Sequence, residues 1–553
     1  MPTFSFVGQY QGRSSNVGAL RYVNLFPHAT QDNRVVLFGT PGLSLLNSLG
    51  PLPIRGMHVM GDYLYVVSYN VLYQIDSTMS ATAVGTIGSN NGNVSMANNG
   101  VQLMIVDGTN GYIYIQKPYI LTQAAIFAGG TGYTVGDVLT VSGGTYDTQS
   151  QITVTSVSGG AVVGVSVTTA GAYVAPPSNP VSVTGGTGLG AKFTATYTQT
   201  FTTPGMLRTI RNTAPNFPVA DTVCFLDGYF IVNAHNTNTY FYSALYDGLS
   251  WDALDYNAAE TAPDNVVAVA ATFGFLYVFG TDTTEIWYDA GDPLTVFRRA
   301  DGMVSNVGLL AQFSVAKVGE TGNLICWLGT TPQGRGFAVA NSGGGQAQRI
   351  STPEVEYQWA QYSTMSDAVA YGYMTEGHVF YVISFPSANT TWVHDFTTQT
   401  WHERTYNEGR HLSQNYAFFG NNHVVGSYLD GKLYRMHMDT YDDAGIPIQR
   451  TLISPTLGDD DTGLVSYQSV QVDMERGVGL SSGQGSDPQV MLSWSDDSGH
   501  TYCDEMMGGF GQQGVYDLRV IWRRLGRSFR RTFKLRISDP VKVVILSAVV
   551  KTE

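Results

Sequence analysis

The stretch Met57 to Asp76, MHVMGDYLYVVSYNVLYQID, sets the pattern for this chain. An apolar run, a Gly61-Asp62 turn and two alternating Tyr/Val runs read as a meander of antiparallel strands. The same sentence returns at Val94 to Ile115, Val223 to Ser243, Val267 to Asp289, Ala368 to Phe396 and Leu412 to His437, with a weaker copy from Leu324 to Ile350. Each of the seven units is a three-strand meander with room for a fourth strand. One meander cannot bury both of its faces, so the units must pack on one another. Radial packing into a β-propeller does this and leaves only short edges. A sandwich or solenoid of similar hairpins is the alternative. The repeat spacing favours the propeller, whose blades run to ~40–50 residues.

The fold class expected is therefore all-β: a propeller of about six to seven blades, an inserted Gly-rich β module and a C-terminal β domain. Residues 1–118 would hold a leading strand and the first blades, 119–203 the insert, 204–441 the remaining blades and 442–553 the C-terminal domain. The leading segments Leu20 to Pro27 and Val35 to Leu46 suit a strand that completes the last blade. The insert carries one Lys (Lys192), two Asp (Asp137, Asp147) and no Arg, Glu, His, Trp or Cys. Its Gly-Gly turns between Val/Thr runs specify short strands. It reads as a module on a blade loop, either binding a surface or glycan or decorating the particle and touching a neighbour. One helix is expected, with Ser351 as N-cap, Pro353 in its first turn, and Val355, Trp359 and Tyr362 on one face.

Composition narrows function. Charged residues are 13 % of the chain, against an ordinary ~25 %, while Gly (63) and Tyr (33) are abundant. A net charge of −14 argues against electrostatic capture of nucleic acid by the whole protein. Three widely spaced cysteines, Cys224, Cys326 and Cys503, form neither a metal motif nor a disulfide framework. The first ten residues, MPTFSFVGQY, lack the basic and apolar regions of a secretory signal. No run of 18 apolar residues is present to span a bilayer as a helix.

Few residues suggest chemistry. Five histidines fall between His378 and His423 (His378, His394, His402, His411, His423), and a metal or acid–base site could be drawn from them. No pair has i, i+4 spacing, and they read as scattered loop histidines near turns. No nucleophile elbow, phosphate loop or assignable carboxylate pair is visible. Ser495, Asp497, Gly499, Thr501 and Tyr502 fit the Asp-box form S-x-D-x-G-x-T-aromatic. In that form Asp and Ser bond turn amides and Gly takes the unusual dihedrals, so the box reads as a structural hairpin. Arg519, Arg523, Arg524, Arg527, Arg530, Arg531, Lys534 and Arg536 are 8 of the chain's 29 basic residues. They could face a phosphate backbone or an acidic partner ring. Equally, they could be a solvated strand and turn whose Arg stems cover apolar surface. If a strand runs through Arg523 and Arg524, the two point to opposite faces.

The C-terminal motifs Ile521-Trp522-Arg523-Arg524-Leu525-Gly526-Arg527, Phe533-Lys534-Leu535-Arg536-Ile537 and Asp539-Pro540-Val541 resemble the closing segment of the tail hub proteins of short-tailed bacteriophages. These are also called packaged-DNA stabilisation proteins or tail nozzles. Tyr22 to Gly42 (YVNLFP…FGTPG), the helix at Ser351 with the blade to Phe396, and DDSGHTY extend the resemblance. The segment 119–203 departs from the family pattern. The resemblance implies a virion structural protein, made in the host cytoplasm, with no catalytic residues and no cofactor. Six copies would form a ring below the portal-side adaptor, with double-stranded DNA passing through the lumen. That ring would carry tail fibres or spikes and a plug or needle. The rival readings are a propeller glycosidase, which needs paired carboxylates in a central pocket, and a carbohydrate-binding adhesin using the insert.

Overall fold

Six of the seven Tyr/Val meanders fold as the inner three strands of a blade, and each blade is covered by its neighbours. The computed structural model describes residues 10–13, 19–32, 34–199, 205–212, 214–292, 295–319, 322–330, 336–343, 346–458 and 463–553. Residues 459–462, the last residues of the 119–203 segment and the first nine residues lie outside them.

Blade 1 consists of Ile54–Met60, Tyr63–Ser68, Val71–Ile75 and Ala81–Thr86 in simple meander order. Its second strand explains the composition of the repeat. Tyr65 and Val67 pack against Leu103, Tyr112 and Tyr114 of blade 2. Leu64 and Val66 pack the other way, with Phe419, Val424 and Leu433 of blade 7. Alternation along the strand therefore sorts residues between two neighbouring blades, and the strand is apolar on both faces. Gly61, with φ 58°, makes the hairpin turn in a left-handed conformation that glycine adopts without steric cost.

Six further sheets repeat this unit, making seven blades among the described residues. Blade 5 is out of frame with the sequence repeat. The weak copy Leu324 to Ile350 supplies its later strands, while its inner strand Ala316–Val318 precedes that window and contacts the inner strand of blade 6. Blade 7 is Ser413–Phe419, Asn422–Ser427 and Lys432–His437, completed by Gly42–Ser48 from the other end of the chain. The pairing is antiparallel, with Leu43 opposite Met436 and Leu45 opposite Tyr434. The ring is thus closed by a strand borrowed across nearly 400 residues of sequence.

The insert interrupts blade 2. Its third strand Gly111–Ile115 pairs with Met206–Thr209, and Ile115 lies opposite Met206. Between these partners runs a separate 8-stranded sheet with its own core of Leu121, Leu139, Ile152, Val181 and Phe193. The two ends of the excursion are adjacent, so an extra module costs the blade nothing in register.

The C-terminal region is a sandwich built from both chain ends. One layer combines Leu25–Ala29, Val35–Gly39, Val544–Thr552, Val465–Met474 and Val520–Arg523. The other contains Arg21–Val23, Arg450–Ile453, Arg530–Ile537, Gln489–Ser495 and Met506–Gly509. Val23 also pairs in parallel with Glu403 of blade 6, so this layer and blade 6 form one 11-stranded sheet. The junction is reinforced by Glu403, which receives Arg21 Nε at 2.6 Å and Nη2 at 2.7 Å and also accepts from the Tyr10 hydroxyl.

The helix forms at Pro353–Trp359, with its cap one residue later than the sequence suggests. Thr352 accepts from the Val355 amide, while Ser351 Oγ is held by Glu356 at 2.7 Å and receives the Ala338 amide at 3.0 Å. Val355 and Trp359 are fully buried, and Trp359 packs on Phe385, Trp392 and Trp401.

Candidate interaction surface on the sandwich

The eight basic residues divide between two environments. In Val520–Arg523 the strand period turns Val520 and Trp522 into the sandwich core and leaves Arg523 outside. Arg523 pairs with Ser469, and Ser469 pairs on its other side with Lys551, so Lys551 and Arg523 share one outer face. The strand ends there: Arg524 has φ 62° and its amide bonds Gln468 O at 2.9 Å. Arg519, Arg523, Arg524, Arg527 and Lys551 are all exposed. Phe529 and Leu464 are exposed beside Arg527, whose strand Arg527–Ser528 pairs with Val465 and Ser466. The result is a basic face with apolar residues at its margin. Lys551 lies 28 residues from Arg523 and only the ladder brings it there, so linear clustering could not find it.

The other half of the cluster points to the Asp-box. Arg531 is 2 % exposed, donates to Asp496 through Nε (2.6 Å) and Nη2 (2.8 Å), and bonds Leu525 O. Its guanidinium lies over Tyr467, Trp494 and Phe533. Lys534 stands 5.2 Å from the Tyr502 ring. Arg536 forms a two-pronged pair with Glu505, at 2.7 and 2.5 Å, and this pair holds the Glu505 carboxyl below its usual range. Arg530 is partly buried, on the strand where it pairs with Gly458. The cluster therefore does not make one surface, because a strand that forms a core must send alternate residues inward.

The Asp-box residues build the hairpin turn. Ser495 Oγ receives the Gly499 amide at 2.7 Å, and Asp497 receives the Thr501 amide at 2.8 Å and its hydroxyl at 2.5 Å. These bonds, those to Ser495 and Thr501 side chains first, hold the Asp497 carboxyl well below the usual carboxylate range. Gly499 takes φ 91°. Asp496, between the box positions, carries the load for Arg531. Asp496→Ala leaves a buried guanidinium without its counterion; because Asp496 is itself 45 % exposed and Arg531 keeps its bond to Leu525 O, the expected cost is about 1–3 kcal/mol. Arg531→Met, which removes the charge and keeps the apolar stem, is expected to cost less. Urea unfolding of the two variants checks the order.

The histidines correct the sequence reading. Four of the five are buried, and His378, His394 and His402 lie within the strands of blade 6. His411 precedes the inner strand of blade 7, and His423 lies within its second strand. Alternation does not mark a solvent face in a blade covered on both sides, which is why turns seemed the natural place for them. His28, His378 and Asp395 form a chain, with 2.8 Å between His28 Nδ1 and His378 Nε2 and 2.7 Å from His378 Nδ1 to Asp395 Oδ2. It ties a sandwich strand to blade 6. Asp395 also receives the Thr397 amide and the Thr398 hydroxyl, as a turn carboxylate does. No grouping of three metal-ligating side chains occurs among the described residues.

A central cavity of about 740 Å³ is lined by inner-strand residues of the blades, including His58, Asn98, Cys224, Lys317 and Gln414. No Asp or Glu is among its lining residues as described. A second cleft, about 510 Å³, lies between blade 6 and the sandwich and contains Glu408, Glu505, Arg536 and Tyr502. Because Arg536 keeps Glu505 ionised, that carboxylate is poorly suited to donate a proton.

Among solved structures, the computationally designed Ika8 protein matches 72 % of this chain and all of its own at 10 % identity (TM-score 0.33). The Neurospora crassa Pan2 WD40 domain matches 72 % and 96 % at 7 % identity (TM-score 0.34). The N-terminal domain of Nup159 matches 75 % and 98 % at 7 % identity (TM-score 0.34). No match is found among curated proteins. Two family models do match. Residues 142–441 fit the one described as bacteriophage P22 Gp10, beta-propeller, and residues 449–553 fit bacteriophage P22 Gp10, beta-sandwich. The first match runs from within the insert through blades 3 to 7 and the second covers the C-terminal part of the sandwich, and the chain belongs to the bacteriophage P22 Gp10 family of phage tail structural proteins.

Proposed function

We propose that this protein is the repeating subunit of the hub, or nozzle, of a short phage tail. Six copies form a ring on the portal-side adaptor, extend the DNA channel, retain the packaged genome and anchor fibres or spikes. A plug or needle seals the lumen, and engagement of the fibres is relayed through the ring to release it. The observation that carries this reading is the single 11-stranded sheet running from blade 6 through the sandwich. Together with the borrowed closing strand it makes propeller and sandwich one mechanically continuous body, as a part that transmits load requires. The reading is also supported by family membership and by the net charge of −14, which suits a conduit through which DNA slides. The glycosidase reading needs a carboxylate pair in the central cavity, and none of the described lining residues provides one.

Negative-stain images of the purified protein and of particles test the proposal. Sixfold rings in solution, and the same ring at the tail vertex, are expected. A protein that stays monomeric at high concentration and is missing from particles overturns it.

A further inference from the structure

The outer edge of blade 3 is the chemical counterpart of the sandwich face. Its third and fourth strands, Thr239–Tyr242 and Tyr256–Ala258, are joined by a loop carrying Leu245, Tyr246 and Leu254. Leu254 is 81 % exposed and Tyr246 62 %, large apolar areas for a surface with ordinary solvation. Leu245 and Tyr246 lie over the Asp227-Gly228 turn, where the Tyr246 amide bonds Gly228 O at 2.7 Å. Around them stand Asp227, Asp252, Asp255 and Asp289. Loss of solvent and then Asp289 hold the Asp227 carboxyl above its ordinary range; loss of solvent and then Asp252 do the same for Asp255. The nearby Arg298 is engaged by Asp292 at 2.8 Å. These carboxylates repel one another, and a cation arriving from outside would relieve them.

The sandwich offers such cations: Arg519, Arg523, Arg524, Arg527 and Lys551, bordered by Phe529 and Leu464. Both surfaces combine exposed apolar side chains with a prevailing charge, and the prevailing signs are opposite, although Glu553 stands across Ser466 from Arg527 on the basic face. Their places in the fold also suit them. The sandwich is hydrogen-bonded to blade 6, three blades from blade 3, or about 150° round a seven-bladed ring. Two different, complementary surfaces give a head-to-tail contact, and such contacts make a ring when the rotation from copy to copy closes and a filament when it does not. A self-complementary patch would give a dimer.

We propose that the acidic, leucine- and tyrosine-bearing edge of blade 3 docks on the arginine-bearing sandwich face of a second copy of this chain. This is the lateral contact of the ring, and it rests on the ring reading given above. The apolar side chains supply the buried centre of the contact. The charges set partner, register and encounter rate.

Charge reversal tests it in the full-length protein. Arg523→Glu with Arg527→Glu, and separately Asp252→Arg with Asp255→Arg, should each raise the concentration needed for assembly by about tenfold or more in sedimentation velocity. Asp252→Asn with Asp255→Asn, which can keep the bond from the Leu254 amide to Asp252 (2.9 Å), should give a smaller rise. The chain carrying all four reversals should assemble within about threefold of wild type, because each reversed face then meets a reversed partner. Circular dichroism and melting confirm that each variant is folded. Reversals that leave assembly unchanged overturn the contact, and reassign the arginines if DNA or adaptor binding is lost instead. A folded quadruple variant as defective as its parents also overturns it. Wild type that never assembles removes the ring reading itself, and this contact with it.

Discussion

Leu43→Asp will leave the propeller open, with a loss of at least about 5 kcal/mol, enough to exhaust the stability of many domains. Leu43 is 0 % exposed on the strand Gly42–Ser48, opposite Met436 of blade 7. It packs with Phe26, Val425, Tyr434 and Met436. Aspartate there places a second carboxylate beside the buried Asp443 and removes a leucine from a closed core. The strand leads into blade 1 and is hydrogen-bonded to blade 7, so its release loosens the seam between the first blade and the last. Leu45→Asp is the control. Leu45 lies on the same strand but is 56 % exposed, and its replacement should fall within about 0.5 kcal/mol of wild type. Urea unfolding and limited proteolysis of both variants measure the contrast. Equal stability of the two would mean that the closing strand contributes nothing.

Acidification from pH 7 to pH 5 is expected to remove about 5 kcal/mol of stability. Burial holds the His394 and His411 imidazoles down, to about 4 and about 3, and holds His402 well below its ordinary value. For His394 and His402, both ring nitrogens lack a hydrogen-bond partner. In the unfolded chain these rings take a proton near pH 6.5. The unfolded state therefore binds more protons below that pH, and stability falls until the folded-state values are reached. Asp443 opposes the trend. Burial pushes its carboxyl up to about 7, against Arg404 and Arg450 which lower it. The folded state keeps that proton while the unfolded state loses it near pH 4, so acidification recovers part of the loss between pH 7 and pH 4. Burial likewise holds the His58 imidazole down to about 4, and four histidines against one carboxyl leave a net fall. His402→Phe, in a ring pocket shared with Phe26 and Phe380, should flatten the profile by one proton. A urea midpoint that is constant or rises from pH 7 to pH 5 refutes the account.

The blades were legible because their strands follow period-two spacing between Gly-Asp and Asp-Gly turns, and turn chemistry is local. For the same reason the Asp-box could be read residue by residue: Ser495, Asp497 and Thr501 bond only within one hairpin. Blade 5 was read one strand late because its inner strand Ala316–Val318 is only three residues long and too short to show a period. The helix cap was displaced by one because Ser351 is captured by Glu356 and Ala338, partners that a local capping rule does not contain.

By itself, the amino-acid order determined that this chain is all-β, that its meanders must stack on one another, and that no familiar catalytic motif is written into it. These follow from spacing, which survives in one dimension. The order also suggested that a leading strand from Leu20–Pro27 or Val35–Leu46 completes the last blade; only the tertiary structure decided that Gly42–Ser48 is that strand, that Arg21–Gly39 joins the sandwich, that Arg531 serves Asp496, and that Lys551 stands with Arg523. Each of these pairs residues tens to hundreds of positions apart. Strand edges offer the same backbone hydrogen bonds to any partner, so the choice among them rests on which side chains can be buried together.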